Sequence, residues 1–375
     1  MADTPDVLFG LTGDVRQNSR AIRQIDALIE LGCQVDVLTF GPGVQEPWRS
    51  GVRLHVLPEP SSRGPVFFAR VDGVFRRAAR AIPARVYHAS DLFILPALST
   101  AARAHEGRLV YDSRELYPYV GATAGKPWSR LFWRMIEHRY IRRTDAVFTV
   151  SQSIADWLKA HYGIREPVLV YNVPVQRHVS STRVLREQFH IPEGRPIILY
   201  QGYLKRGRGC TLLLDAMADV PDAVLVFMGA GEMESELRER VRAQQLEERV
   251  FFLGMAPPDR LLSVTASADV GACLVEDLSL SLRYALPNKL FEYLAAGLPV
   301  IGSTLPEIRR VIDMHDVGCV VDPTHRSELV RTLRHMVSDD AARARWSANT
   351  ERVFETYSWE ASARRFKAVY RSLLE

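Results

Sequence analysis

At 375 residues the chain suits two domains of ordinary size better than one. Its 47% hydrophobic and 25% charged residues exclude a disordered or fibrous chain, no run of about 18 apolar residues is present for a spanning helix, and the start MADTPD does not read as a signal peptide, so a cytoplasmic location is expected. The net charge of +4 is uneven, with 23 Lys+Arg against 17 Asp+Glu in residues 1–178 and 25 against 27 in residues 179–375, which suits a solvated surface or an anionic membrane or phosphorylated acceptor near the first half.

VLFGL (7–11) reads as a buried strand, TGDVRQNS as a loop, residues 20–31 as a helix stopped by Gly32, and QVDVLTF (34–40) as a second strand. Strands at 85–89, 108–112, 146–151 and 167–172 then alternate with helices at 92–105, 128–142 and 154–162. The polar stretch 173–184 reads as a linker. After it the rhythm restarts, with strands at 196–202, 223–231, 250–254, 269–275, 299–303 and 318–322 and helices at 211–217, 233–245, 258–268, 289–296, 328–337 and 341–353, plus a short one near 307–312. Such alternation predicts an α/β chain of two doubly wound, Rossmann-like domains, 1–178 and 179–355, followed by a last helix at 356–375. Ligands of these sheets bind at the carboxyl ends of the strands, so a cleft between the domains is the expected active site.

Cys33, Cys210, Cys273 and Cys319 lie far apart with no CxxC or Cys/His spacing, so free thiols and no zinc site are expected. Asp339 and Asp340 sit between helices and read as surface charge.

The most informative segment is PNKLFEYLAAGLPVI (287–301). Pro287 and Asn288 open a short helix, Gly297 stops it, and a buried strand follows. The free N–H groups of that helix start, with Lys289 beside them, suit a diphosphate. Glu292, one turn on, suits the two hydroxyls of a ribose, while Leu290 and Leu294 share a core face; spacing alone equally allows an ordinary surface helix.

NKLFEYLAAGLPVI resembles the donor-binding motif of the family 4 retaining glycosyltransferases of GT-B fold, in which a Glu contacts the nucleotide ribose. The resemblance covers nearly all of residues 185–375. It implies that Gly202, Leu204, Arg208 and Gly209 form the first phosphate turn, that Gly229, Gly231 and Glu232 lie near the base, and that Asn288, Lys289, Leu290 and Glu292 hold the nucleotide. In the first half the likeness is looser. GLTGDVRQNSR resembles the glycine loop, with Gly13 at the donor and Arg16 or Arg20 facing the cleft; VYHASDL and YDSREL resemble the HxxD and YDxxEL elements, which would put His88, Asp91, Asp112, Arg114 and Glu115 at strand ends facing the cleft. The segment around Trp359 resembles a closing helix that crosses back to the first domain.

What the resemblance implies is retaining transfer of a hexosyl group from a UDP- or GDP-sugar to a hydroxyl acceptor, in cell-surface polysaccharide, glycolipid or glycoconjugate synthesis, without a metal or other cofactor. Arg208 and Lys289 would stabilise the departing diphosphate, with His88 and Asp91 as further catalytic candidates, and Arg16, Asp112, Arg114 and Glu115 on the acceptor side. Two positions depart from the pattern: Tyr284 stands where the family commonly has a second Glu, and Tyr203 where it often has an Arg. A non-catalytic nucleotide-sugar-binding protein or a sugar-nucleotide epimerase of the same fold are the alternatives. Residues 63–82 and 126–143 interleave Arg with Phe and Trp on expected helices, which either pack their aromatics in the core or rest on anionic lipid near a lipid-linked acceptor. No nucleic-acid-recognition module is visible, so a nucleic-acid partner is not expected.

Overall fold

A computed structural model of the chain describes residues 4–43, 48–62, 64–175, 179 and 182–375. The chain divides into two compact units, Met1–Asn172 with Trp359–Glu375, and Val173–Ser358. The sequence places these breaks after residues 178 and 355, and residues 176–178, 180 and 181 of the expected linker lie outside the described residues.

In the first unit, β1 (Val7–Gly10) is wholly buried, α1 (Ser19–Ile29) starts where the Asn18 side chain accepts the Ala21 N–H, and β2 (Val35–Thr39) returns beside β1. An edge strand, β3 (Val52–Val56), was not foreseen, because only Val52 of its five residues is buried and the apolar signal is weak. The chain continues through α2 (Gly64–Arg80), β4 (Val86–Ala89), α3 (Leu95–Ala104), β5 (Arg108–Ser113), α4 (Pro127–Ile141), β6 (Ala146–Thr149), α5 (Gln152–Tyr162) and β7 (Val168–Leu169). The Ser151 side chain caps α5 and Gly163, at φ 62°, ends it. The seven strands are parallel in the order β3-β2-β1-β4-β5-β6-β7.

The second unit opens with α6 (Val184–Phe189), which begins at the last residue of the stretch read as linker, and runs through β8 (Ile197–Gln201), α7 (Cys210–Ala216), β9 (Val224–Met228), α8 (Glu234–Ala243), β10 (Val250–Gly254), α9 (Leu261–Thr265) and β11 (Val270–Cys273). A one-turn helix, α10 (Leu280–Arg283), precedes α11 (Asn288–Ala295). Then follow β12 (Val300–Ser303), α12 (Pro306–His315), β13 (Gly318–Val321), α13 (Arg326–Ser338) and α14 (Asp340–Thr356), whose first turn is capped by Asp339. The sheet is again parallel, ordered β10-β9-β8-β11-β12-β13, with the switch point between β8 and β11.

The last helix, α15 (Trp359–Leu374), belongs to the first unit and lies along α1 and β7. Phe366 and Tyr370 are fully buried with Phe9, Val110 and Phe148, and each aromatic of that size stabilises its site by about 1.5–3 kcal/mol relative to exposure.

Candidate functional site

In the second unit the carboxyl ends of β8 and β9 are joined backbone to backbone. Gly202 N donates to Met228 O, Leu204 N to Ala230 O, and Met233 N to Leu204 O, at 2.9, 2.9 and 3.1 Å. A Cβ on Gly229 would lie 1.9 Å from Gly202 O, and one on Gly231 2.2 Å from Leu204 O. Glycine at these two positions is therefore required by the contact between turns, a packing reason that stands beside the nucleotide-binding role expected from the sequence. Glu232 follows on the exposed side of the turn.

The β8–α7 turn holds Arg208. It is clamped from both sides by Glu276, whose N–H donates to Gly207 O at 3.0 Å and whose Oε1 accepts the Gly209 N–H at 3.1 Å. Arg208 itself is half-buried and makes no ion pair or hydrogen bond with any described residue. Its positive charge acts on Lys289, the second residue of α11.

Lys289 is only 8% exposed, and its Nζ has no hydrogen-bond partner among the described residues. Its ammonium sits 3.6 Å from the centroid of the Tyr200 ring on β8, a cation–π contact, and its side chain reaches the Gly202 turn, where a Cβ would meet Cε at 3.7 Å. Burial first, and then Arg208, push its pKa down from 10.5 to about 8, against the opposing pull of Cys273, Cys210 and Glu292. The α11 start adds to this field, since Pro287 precedes it in extended conformation and no side chain caps it, with Asn288 exposed at its tip. Two cations that form no ion pair or hydrogen bond among the described residues, and a helix start without a capping side chain, thus meet at one strand end, an arrangement suited to an anion.

Glu292, one turn further, is half-buried and held in place. Its Oε2 accepts from Gln201 Nε2, Gln201 Oε1 accepts the Thr265 hydroxyl at 2.7 Å, and Gln201 N donates to the Tyr293 hydroxyl at 2.7 Å. Gln201 and Tyr200 were not singled out from the sequence. The available signal was a polar residue closing the otherwise apolar strand IILYQ immediately before a glycine. Leu290 departs from expectation: its side chain is fully buried in the core and its N–H is taken by Pro287 O at 3.1 Å, so it has nothing to offer a nucleotide. Tyr284 is half-buried at the carboxyl end of α10. The four cysteines are free, and burial pushes the thiols of Cys273 and Cys319 up to about 11.

The first unit corrects several expected roles. Gly13, at φ 94°, is exposed on the loop after β1, with open space where a Cβ would stand. Its carbonyl accepts the Thr39 hydroxyl at 2.6 Å. Asp91, 1% exposed, anchors the same loop: Oδ2 accepts the Thr12 N–H and hydroxyl at 3.1 and 2.5 Å, and Oδ1 accepts the N–H groups of Phe93 and Ile94 at 2.9 and 3.3 Å. Through both oxygens Asp91 thus positions the glycine loop. His88 is likewise enclosed. It is fully buried, stacks on Phe9 at 4.2 Å, and its Nδ1 lies 2.6 Å from the Tyr370 hydroxyl of α15; burial, partly opposed by Asp112, drives its pKa to about 3. The imidazole is neutral and walled in by aromatics, and its Nε2 is buried without a hydrogen-bond partner among the described residues.

Asp112, fully buried, accepts from Arg20 Nε and Nη2 at 2.7 and 2.6 Å and from Gln24 at 2.9 Å, while Arg20 Nη1 donates to Val170 O at 2.5 Å. This pair ties α1 to the sheet from inside, so neither residue faces a ligand. Burial works to raise the Asp112 carboxyl, yet the Arg20 guanidinium leaves it below the usual value. Arg16 is half-buried and forked onto Asp14 at 2.8 Å through both Nε and Nη2. Arg114 is half-buried beside Tyr117, with Asp91 and Asp112 acting on it, and Glu115 is exposed. Of the acceptor-side candidates, Arg16, Arg114 and Glu115 keep access to solvent.

Comparison with known proteins bears on both halves. Residues 181–353 match the family model described as glycosyl transferases group 1, and residues 17–174 match that of the glycosyl transferase 4-like domain. The phosphatidyl-myo-inositol mannosyltransferase of Mycobacterium leprae is 28% identical over 48% of this chain and 47% of its own length, and the D-inositol 3-phosphate glycosyltransferase of Corynebacterium urealyticum is 28% identical over 52% and 47%. The matched part spans about half the length of these relatives. Among solved structures, sucrose-phosphate synthase from Thermosynechococcus elongatus superposes with a TM-score of 0.81 at 20% identity over 98% of both chains. Anabaena HepE in complex with UDP and glucose gives 0.77 at 16% identity over 98% of this chain and 100% of its own. With two Rossmann-like sheets, this shared architecture and a family match in each half, the chain belongs to the GT-B glycosyltransferases of the family 4 type.

Proposed function

We propose that the chain transfers a hexosyl group from a nucleoside-diphosphate sugar, with UDP or GDP as the nucleotide, to a hydroxyl acceptor in cell-surface polysaccharide, glycolipid or glycoconjugate synthesis, with retained anomeric configuration. The observation that carries this reading is the pair Lys289 and Arg208, neither with an ion-pair or hydrogen-bond partner among the described residues, beside the uncapped start of α11. The HepE structures solved with UDP and with UDP-glucose, and relatives named for inositol-bearing acceptors, support it.

In the proposed reaction the bond between the anomeric carbon and the diphosphate oxygen breaks, and negative charge builds on the leaving phosphate. Lys289, Arg208 and the α11 N–H groups stabilise that charge from fixed positions, the term that is usually largest in such catalysis, and no metal is called for. The acceptor oxygen bonds to the anomeric carbon on the face the diphosphate leaves, and its proton passes to a leaving phosphate oxygen. Glu292, oriented by Gln201, accepts the ribose hydroxyls. Tyr284 in place of a carboxylate motivates the second reading, a protein that binds a nucleotide sugar without transferring it.

Calorimetry with UDP and GDP, followed by labelled UDP- and GDP-sugars scored for slow hydrolysis or transfer, tests the proposal. Binding of one nucleotide with turnover of its sugar supports it. Absence of binding to either overturns it, binding without turnover on any acceptor favours the second reading, and full affinity in Arg208→Ala or Glu292→Ala overturns the site assignment.

A further inference from the structure

Helix α4 carries an apolar stripe that no described part of the chain covers. Trp128 is 81% exposed, Leu131 44%, Phe132 50% and Met135 57%, and their spacing puts them on one face. No other helix of the described residues exposes more than one large hydrophobic side chain. The expectation that these aromatics turn into the core holds only for half-buried Trp133, which packs against Phe68, Phe93 and Phe132 with ring centroids 4.9–5.2 Å apart. That cluster fixes the stripe to the fold and extends it toward Phe67 and the exposed Val66 at the start of α2.

The charges around the stripe are of one sign. Lys126, Arg134, Arg139, Arg142 and Arg143 are exposed, and the single acid between residues 126 and 143, Glu137, is turned fully inward. The hydroxyls of Tyr111 and Tyr162 donate to its two oxygens at 2.8 and 2.7 Å. α4 thus shows no acid to solvent. A second copy docking here through a two-fold axis would set like charges against each other, whereas anionic phospholipid satisfies both features at once.

We propose that α4 docks the first unit peripherally on an anionic lipid surface, with Trp128, Leu131, Phe132 and Met135 seated at the headgroup boundary and the flanking lysine and arginines on lipid phosphates. This surface belongs to the first unit and the donor-site residues to the second, and the proposal stands independently of the proposed reaction.

The test is co-sedimentation of the full chain with phosphatidylcholine vesicles, with and without phosphatidylglycerol, at low and high salt. Pelleting is expected only with phosphatidylglycerol and is expected to fall at high salt. The double variants Trp128→Ser with Phe132→Ser, and Arg134→Gln with Arg139→Gln, are each expected to weaken partitioning by roughly tenfold or more, the second also flattening the salt dependence. Because all four side chains are exposed, circular dichroism and thermal midpoints should match the parent. Absence of lipid-dependent pelleting at low salt, or equal pelleting of parent and both variants, overturns the proposal. So does a dimer seen by light scattering that the Trp128→Ser, Phe132→Ser variant dissolves while vesicles are ignored, which would assign the stripe to a second copy.

Discussion

The Lys289 ammonium stands 3.6 Å over the Tyr200 ring and donates no hydrogen bond to any described residue. A buried charge in that situation costs folding free energy and is worth keeping only for an anion that arrives later. Lys289→Met is therefore expected to weaken UDP or GDP binding by about 10- to 100-fold, the value of a charge-assisted hydrogen bond, while the thermal midpoint stays level or rises. Calorimetry and thermal unfolding on the same samples check both halves. A fall in stability together with unchanged affinity would mark the lysine as structural.

The same residue makes binding sensitive to pH. Its pKa is about 8 in the free protein, and a bound diphosphate favours the protonated form, so affinity should fall as pH rises through about 8. Binding near that pH should take up protons, seen as a dependence of the calorimetric enthalpy on buffer ionisation heat, and Lys289→Met should remove that part of the uptake. For stability the sign follows from the folded pKa lying below the ordinary 10.5. The penalty of the buried charge is full below about pH 8 and is relieved as pH rises from there through the unfolded value.

Glu292 and Gln201 act as one unit through their shared hydrogen bond. Glu292→Ala is expected to weaken nucleoside diphosphate binding by about 10- to 100-fold, and a 2′,3′-dideoxy analogue to bind parent and variant alike, giving a large coupling in the double cycle. Equal losses with both nucleotides would place the carboxylate away from the ribose. Gln201→Leu leaves the Thr265 hydroxyl and Glu292 without this partner and should cost about 1–3 kcal/mol of stability, measured by urea unfolding.

In the first unit, Asp112→Ala strands the buried Arg20 guanidinium. A loss of about 3–5 kcal/mol is expected, read as an earlier transition of that unit, with a smaller loss when Arg20 is replaced by an apolar residue at the same time. Because the folded pKa of Asp112 is lowered, its contribution is fully present above the ordinary 3.8 and disappears as pH falls through the folded value. Acid unfolding of Asp112→Asn should show a correspondingly flatter profile.

A Cβ at Gly229 would stand 1.9 Å from Gly202 O, and the residue sits at φ 150°. Gly229→Ala should therefore destabilise the second unit and reduce nucleotide binding together. Gly13→Ala meets open space and should cost only the strain of its positive φ, about 1 kcal/mol, as thermal unfolding would show.

Local chemistry made much of this protein legible. Pro287 and Gly297 bracket α11 because their backbone preferences act within a turn or two, and the runs VLFG and IILYQ announce buried parallel strands by composition alone. The βα rhythm follows from such signals, whereas the donor motif is legible only through its resemblance to the family. β3 escaped because an edge strand with one buried residue carries little of them.

The sequence by itself determined which residue types stand at the strand ends: Arg208, Lys289 and Glu292 in one half, His88, Asp91 and Asp112 in the other. Only the tertiary structure decided which of these remain available. His88 is sealed by Tyr370, 282 residues further along, Asp112 is matched by Arg20 at a separation of 92, and Glu292 is oriented by Gln201 at a separation of 91. Burial and pairing depend on segments that meet only when the sheets close. Two buried acids and a histidine thus became parts of the framework, while two cations, Arg208 and Lys289, were left without an ion-pair partner among the described residues.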